Sequence, residues 1–243
     1  MEIGPPASSP PKSDGQAKPA HTKDFSVKPL RYIAVEGPIG VGKTTLTRLL
    51  AEEFKGRIVL EEAEENPFLP SFYKDPKGFA FQTQVFFLLS RYQQQKVLMQ
   101  QDLFKQATIS DYIFAKDRIF AMLNLSEEEI NLYDKLYRVL DAQVPKPDLV
   151  IFLQASVEAL RERIKKRGIA YEKSISGEYI ERLCQAYNQF FFEYDETPLL
   201  TVNCTEIDIV KNEEDYKNLL KEILNMRKAK LDKHYVSISS VRP

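Results

Sequence analysis

The chain has few of the residues that usually carry metal-binding and redox chemistry. Its 243 residues include 2 cysteines and 2 histidines. Cys184 and Cys204 lack the C-x-x-C spacing of a redox or zinc-binding pair. His21 and His234 fall in terminal segments, which argues against a histidine base or metal ligand. We therefore expect a protein of a reducing cytoplasm in which any general base is a carboxylate.

A strong net charge and long apolar runs are also missing. The formal net charge is -1 with a pI near 6.2, which gives no electrostatic reason to expect nucleic acid or an anionic membrane as a partner. No run is long or apolar enough to span a bilayer or to serve as a signal peptide. With 43% apolar and 28% charged residues, the chain can bury one good core. The composition favours a cytoplasmic protein that binds a small molecule.

A phosphate-binding loop follows the first apolar run. The segment GPIGVGKTT, residues 37–45, fits the pattern G-x-x-x-x-G-K-[ST] between a strand-like and a helix-like stretch. Its N–H groups can turn toward a polyphosphate, Lys43 can reach the outer phosphates, and the Thr44 hydroxyl can ligate Mg²⁺. The nucleotide-binding candidates are Gly37, Gly40, Gly42, Lys43, Thr44 and Thr45. The loop predicts a nucleoside triphosphate and leaves the fate of its γ-phosphate open.

Short apolar runs alternate with helical periodicity along the chain. Five runs indicate buried strands: 32–35, 58–60, 107–109, 149–153 and 199–202. The longest helical stretch extends from 79 to about 104, Ser126 and Glu129 form a capping box, and Ser156 caps a helix that ends before Gly168. The alternation predicts an α/β fold, a doubly wound five-stranded parallel sheet with helices on both faces and ligands beyond the carboxyl ends of the strands.

The two ends of the chain have no usable periodicity. Prolines at positions 5, 6, 10, 11 and 19 lie among small polar residues, so residues 1–28 are expected to form a disordered tail. We place one folded domain at 29–230 and a C-terminal tail at 231–243.

Acidic residues follow two of the predicted strands. The segment LEEAEENPFL places Glu61, Glu62, Glu64 and Glu65 after the second strand, where they form a solvated turn or include a general base that faces the phosphate. Asp111 ends the third strand, where it can place Mg²⁺ or cap a helix.

Two further pairs lie at helical spacing. Gln84 and Arg91 are seven residues apart on one helix face, which suits a nucleobase edge or a solvated polar face. Arg163 and Arg167 are one turn apart before a long loop, and they predict a lid over the triphosphate or a complement to the helix dipole.

Taken together, these motifs resemble the deoxynucleoside kinases. GPIGVGKTT, LEEAEENPF, SFYKDPKGFAFQTQVFFLLSR, DYIFAKDRIFA and RIKKRG are similar to the bacterial deoxyadenosine/deoxyguanosine kinase type over about residues 31–202. The resemblance implies a P-loop kinase fold with an arginine-bearing lid, ATP and Mg²⁺ as cofactors, and a homodimer. It also implies transfer of phosphate to the 5′-hydroxyl of a deoxynucleoside, with purines preferred, in nucleotide salvage.

The resemblance assigns roles to individual residues. Glu61 is implied as the general base, with Lys43, Arg163 and Arg167 as the other catalytic groups and Thr44 and Asp111 at Mg²⁺. The implied substrate-binding residues are Tyr73 and Glu172 at the sugar and Gln84, Arg91 and Asp117 at the base.

One residue departs from the family pattern. Tyr112 follows Asp111 where many members have an arginine, and Lys116, Arg118 or a lid arginine could supply that charge.

Three rival functions share parts of this pattern. A pyrimidine deoxynucleoside kinase differs only in the base that it reads. A thymidylate-type monophosphate kinase needs basic residues where this chain has four glutamates. A GTPase-like switch needs N-K-x-D, which does not occur in the sequence.

Overall fold

The computed structural model describes residues 1, 4, 30–100, 107–207, 209, 212–229 and 232–237. Strands in this part of the chain form one sheet: β1 (Tyr32–Glu36), β2 (Arg57–Val59), β3 (Thr108–Ser110), β4 (Leu149–Gln154), β5 (Leu199–Asn203) and β6 (Lys233–Ser237). Neighbouring strands all pair in parallel, in the order β2-β3-β1-β4-β5-β6. The sheet confirms the predicted α/β fold.

Helices alternate with these strands along the described chain. They are α1 (Lys43–Glu53), α2 (Leu69–Phe72), α3 (Pro76–Gln100), α4 (Lys116–Asn124), α5 (Glu127–Asp141), α6 (Val157–Arg167), α7 (Gly177–Glu193) and α8 (Glu213–Ala229). Two short 3-10 helices cover Ala63–Glu65 and Ala170–Ser174.

The predicted number of strands is wrong, because β6 adds a sixth strand at one edge of the sheet. It pairs along β5 from Leu199 opposite Lys233 to Asn203 opposite Ser237, inside the segment 231–243 that was expected to be a tail. Its sequence, KHYVS, has one aliphatic residue. Such an edge strand is held by backbone hydrogen bonds to one neighbour, so hydrophobic periodicity gives little signal of it.

The central strands are buried on both faces. Every residue of β1 is buried, with Ile33 and Val35 in one core and Tyr32 and Ala34 in the other. Helices α1, α6 and α8 cover the first face, and α4 and α7 cover the second. Strands covered on both sides have nearly continuous apolar sequences, which is why β1 and β4 were visible. The edge strand β2 was expected to be buried, but Ile58 is 39% exposed.

The two capped helix ends agree with the structure, whereas the long helix begins at Pro76 rather than at residue 79. Ser126 and Glu129 form a reciprocal capping box at α5. Ser156 Oγ accepts a hydrogen bond from the Ala159 N–H at 3.2 Å at the start of α6, which ends at Gly168 with φ of 74°. The long predicted helix is α3.

Two expectations fall mostly outside the described residues: the end of the long helix near 104 and, apart from positions 1 and 4, the tail at 1–28. Among the helices that are described, none is both long and apolar enough to cross a membrane.

Candidate active site

The phosphate loop joins β1 to α1 and is shaped by its glycines. Gly37, Gly40 and Gly42 have φ of 148°, 83° and 107°, which residues with a side chain rarely adopt. A Cβ on Gly37 would lie 2.4 Å from the carbonyl oxygen of Leu153, so the loop also packs closely against β4. Lys43 Nζ donates to the Gly37 carbonyl at 2.8 Å. The loop has the geometry of a phosphate cradle at a helix N-terminus.

A cavity of about 440 Å³ opens beside this loop. Its lining comes from the loop, the end of α6 and the chain after β5: Gly40, Val41, Gly42, Lys43, Thr44, Thr45, Arg163, Lys166, Arg167, Cys204, Ile207 and Ile209. We call it the phosphate-loop cavity. Burial, and after it the charge of Lys116, lowers the pKa of Lys43 to about 8. A bound polyphosphate would favour the charged form of this lysine.

Asp111 connects the phosphate loop to the segment after β2. Its Oδ2 accepts a hydrogen bond from Thr44 Oγ1 at 2.6 Å, and its Oδ1 accepts one from the Glu61 N–H at 2.7 Å. The described residues contain no cluster of three His, Cys, Asp or Glu side chains that could hold a metal. One carboxylate and one hydroxyl beside a phosphate site fit Mg²⁺, which keeps several waters and binds substrate phosphates.

A second cavity, of about 480 Å³, lies between α2, α3, α4 and the 3-10 helix Ala170–Ser174. It meets the phosphate-loop cavity at Lys43, Thr44 and Arg167, which line both. The predicted residues that line it are Glu61, Tyr73, Gln84, Arg91, Asp111 and Glu172. We call it the acceptor cavity.

Glu61 is anchored between two cations in the acceptor cavity. Its Oε1 accepts a hydrogen bond from Arg91 Nη2, and its Oε2 accepts one from Lys116 Nζ at 2.7 Å. Burial alone would raise the pKa of Glu61, but Arg91 and Lys116 outweigh it and hold the pKa well below its usual range. Glu62, Glu64 and Glu65 are exposed. Glu61 is thus the one carboxylate of the four that is both held and turned inward.

Gln84 and Arg91 are buried on the same face of α3, at 2% and 3% exposure, so this face is not a solvated one. Arg91 Nη1 forms an ion pair with Asp117 Oδ1, and Asp117 is fully buried behind the lining of the cavity. Burial raises the pKa of Asp117 to about 6, although Arg91 opposes the shift.

Two buried polar atoms in this wall lack a hydrogen-bond partner among the described residues: Gln84 Oε1 and Arg91 Nε. Leaving such atoms unpaired is costly, so their presence in a cavity wall indicates a site for a polar ligand.

The opposite end of the acceptor cavity is aromatic. Tyr73 and Tyr171 stack with their centroids 5.7 Å apart and an interplanar angle of 12°. Burial, and then Tyr179 and Glu172, raise the pKa of Tyr73 well above its usual value, so its hydroxyl remains a donor. Glu172 is buried and pairs with Arg167, whose Nη2 donates to Glu172 Oε1 at 2.5 Å.

Arg163 and Arg167 occupy different places. Arg167 reaches both cavities, whereas Arg163 lines only the phosphate-loop cavity. Arg163 Nη2 donates to the Cys204 carbonyl at 2.7 Å, so its guanidinium is fixed against the backbone after β5.

Tyr112 stands where many family members have an arginine, and the structure shows which cation of this chain contacts Glu61 instead. The Tyr112 ring is fully buried and its hydroxyl donates to Gln94 Oε1 at 2.8 Å, so it points to α3. Arg118 is half exposed and lies 3.6 Å from Asp134. Among Lys116, Arg118 and the lid arginines, the described contacts to Glu61 include Lys116 alone.

Sequence reasoning missed Glu36, the last residue of β1. It is fully buried, and its carboxylate accepts hydrogen bonds from the Gly37 and Ile113 N–H groups at 2.9 and 3.0 Å and from the Tyr187 hydroxyl at 3.2 Å. Burial raises its pKa. The signal that could have found it is a carboxylate directly before a phosphate loop, at the end of an otherwise apolar strand.

A parallel sheet, a phosphate loop after its first strand and a second cavity that meets the loop define a P-loop kinase. Over residues 33–227 the sequence matches the deoxynucleoside kinases, and the chain belongs to this family. The resemblance noted from the motifs is confirmed.

Individual relatives agree with this membership. The chain is 38% identical over 193 residues to a deoxyguanosine kinase of Bacillus subtilis (strain 168), which covers 77% of this chain and 93% of the relative. It is 38% identical over 181 residues to a deoxyadenosine kinase of Dictyostelium discoideum, covering 72% and 73% of the two chains. A solved structure of deoxyadenosine kinase from M. mycoides with bound dATP superposes with a TM-score of 0.70 at 29% identity, over 80% of this chain and 99% of that one.

Proposed function

We propose that this kinase transfers the γ-phosphoryl group of ATP to the 5′-hydroxyl of a deoxynucleoside, with deoxyadenosine or deoxyguanosine preferred, in nucleotide salvage. The observation that carries the proposal is the meeting of the two cavities at Lys43, Thr44 and Arg167, with Glu61 on the acceptor side. Phosphoryl transfer requires mainly positioning and charge neutralisation, which such a junction can supply.

The donor half has the groups for a triphosphate. The loop, from Gly37 to Thr45, would cradle the phosphates, and Lys43 would pair with the outer two. Mg²⁺, held by Thr44 and Asp111, would neutralise charge on the phosphates. Arg167, at the junction, would stabilise the transferring group, while Arg163 would shape the donor site.

The acceptor half has the groups for a nucleoside. Glu61 would accept the proton of the 5′-hydroxyl. Tyr73 and Glu172 would bind the sugar, and Gln84 and Arg91 would bind the base with Asp117 supporting Arg91. An amide presents donors and an acceptor, so Gln84 can pair with adenine, guanine or cytosine. The named activities of the two relatives, deoxyguanosine kinase and deoxyadenosine kinase, favour a purine.

A competition assay tests this function. The purified protein receives Mg²⁺-ATP and all four deoxynucleosides at equal concentration, and we expect purine monophosphates to dominate the products. A dominant pyrimidine monophosphate would overturn the purine preference and leave the kinase assignment intact. Phosphorylation of deoxynucleoside monophosphates but not of nucleosides would favour the thymidylate-type alternative.

We also propose a cytoplasmic homodimer that needs neither nucleic acid nor a membrane. On α5, Leu132, Leu136 and Val139 are 51%, 39% and 62% exposed at helical spacing. An exposed apolar stripe of this kind supports a protein interface. Sedimentation velocity should give a dimer, and a monomer at micromolar concentration would refute this part of the proposal.

A further inference from the structure

Lys116 is the first residue of α4, and its ammonium group is buried between two carboxylates. The side chain is 3% exposed. Its Nζ donates to Glu61 Oε2 at 2.7 Å and lies 3.9 Å from Glu36 Oε1. Lysine is rarely this buried unless it is paired. Burial alone would lower its pKa, but Glu36 and Glu61 raise it, so Lys116 is charged at neutral pH.

Pairing with Glu36 alone does not account for the buried position of the Lys116 ammonium group. The Glu36 carboxylate already accepts two backbone hydrogen bonds and one from Tyr187. The Lys116 distance of 3.9 Å to Glu36 exceeds that of a hydrogen bond, whereas its contact with Glu61 is direct. Of these two carboxylates, it is therefore Glu61 that Lys116 holds by a direct hydrogen bond.

The position of Lys116 also gives it access to a ligand. It lines the acceptor cavity together with Lys43, Glu61 and Arg167. An ammonium group has three N–H donors, and the described residues account for one hydrogen bond, to Glu61. Donors therefore remain available for an oxygen that enters this part of the cavity.

We propose that Lys116 is a positioning residue for phosphoryl transfer, which holds the Glu61 carboxylate in the orientation that accepts the proton of the acceptor hydroxyl. This inference rests on the proposed function. Arg91 holds the other oxygen of Glu61, so the two cations together fix the orientation of the carboxylate. A group that is preorganised in this way favours the transition state more than the bound substrate. The predicted signature is therefore a loss of kcat with little change in KM.

The test compares Lys116→Met, Lys116→Gln and Lys116→Arg with the parent enzyme. We expect both neutral variants to lower kcat roughly 10²-fold, with KM for nucleoside and ATP within about threefold. Lys116→Arg restores the charge and should recover roughly tenfold of the lost rate. Arg118→Met, which removes a half-exposed cation two residues further along α4, is the matched control and should leave kcat within about threefold.

A double-mutant cycle with Glu61→Gln separates positioning from general structural support. If Lys116 acts through Glu61, Lys116→Met adds less than about threefold in the Glu61→Gln background. Equal losses in both backgrounds would overturn the inference, as would a Lys116→Met or Lys116→Gln enzyme with kcat within about threefold of the parent. Thermal unfolding checks each fold, and Lys116→Gln decides the outcome if the methionine variant does not fold. A parent enzyme that phosphorylates no deoxynucleoside would overturn the proposed function itself, which distinguishes the two failures.

Discussion

Replacing Glu61 with glutamine is the most direct perturbation of the proposed chemistry. The substitution keeps the size of the side chain but removes its charge and its ability to accept a proton. In the structure this carboxylate pairs with Arg91 and with Lys116, the latter at 2.7 Å. One variant therefore tests the general base and the charge balance around it.

The magnitude of the Glu61→Gln effect follows from this environment. General-base catalysis contributes roughly 10² to 10⁴ in rate. The two cations reduce the basicity of Glu61, so we expect the lower end, a fall in kcat of roughly 10², or about 2.7 kcal/mol. Breaking a buried pair can cost about 3–5 kcal/mol of stability. In the Glu61→Gln variant, Arg91 still pairs with Asp117, and Lys116 still lies 3.9 Å from Glu36. The side chain of Glu61 is also 16% exposed. We therefore expect the free energy of unfolding to fall by only about 1–2 kcal/mol.

Steady-state kinetics at saturating ATP, with a separate titration of ATP binding, measure both parts of this prediction. ATP affinity should be unchanged, because Glu61 does not line the phosphate-loop cavity. Glu62→Gln and Glu64→Gln, which alter exposed carboxylates at the rim, should keep kcat within about threefold and serve as controls. A Glu61→Gln enzyme that turns over within about threefold of the parent would place the base elsewhere.

Three further results are expected. Gln84→Ala should raise KM for every deoxynucleoside about tenfold, since one lost hydrogen bond costs about 1–3 kcal/mol, and an unchanged KM would exclude Gln84 from the base site. Asp117 has a pKa of about 6, so its ion pair with Arg91 is present above that pH and is lost below it. The kcat/KM for the nucleoside should therefore fall about tenfold from pH 7 to pH 5. If the Asp117→Asn variant shows the same fall as the parent enzyme, protonation of Asp117 is not its cause. Deleting residues 1–28 should leave activity and thermal midpoint unchanged, because that proline-rich segment has little apolar surface to bury, and a midpoint lowered by several degrees would show that it packs on the domain.

The fold was predictable from the sequence wherever buried strands have continuous apolar runs. Strands β1, β3, β4 and β5 are largely buried and have apolar runs, and the phosphate loop fixes the direction of the chain after β1. Strand β6 was not predictable in this way, because its pairing with β5 depends on backbone hydrogen bonds that any sequence can form.

The candidate site was predictable as a set of residues but not as a set of contacts. Spacing placed Gln84 and Arg91 on one helix face, and the resemblance to the deoxynucleoside kinases placed Glu61 in the same site. The structure brings all three into one cavity. Lys116 lies 55 positions from Glu61 in the chain, and periodicity does not encode which partner a charged side chain will meet across a fold. Tyr112 shows the same limit, since its direction toward Gln94 depends on how α3 lies against the segment that follows β3.

The distribution of charge between the two cavities gives a physical reason for assigning donor and acceptor as we do. The described residues that line the phosphate-loop cavity include the cations Lys43, Arg163, Lys166 and Arg167 and no carboxylate. The acceptor cavity is lined by the carboxylates Glu61, Glu62, Glu64, Glu65, Asp111 and Glu172, against the cations Lys43, Arg91, Lys116 and Arg167. A triphosphate is therefore attracted to the first cavity, while a phosphate-bearing acceptor would meet an excess of negative charge in the second. A neutral nucleoside meets no such repulsion. During transfer, negative charge builds up at the junction of the two cavities, and Lys43 and Arg167, which line both cavities, place positive charge there.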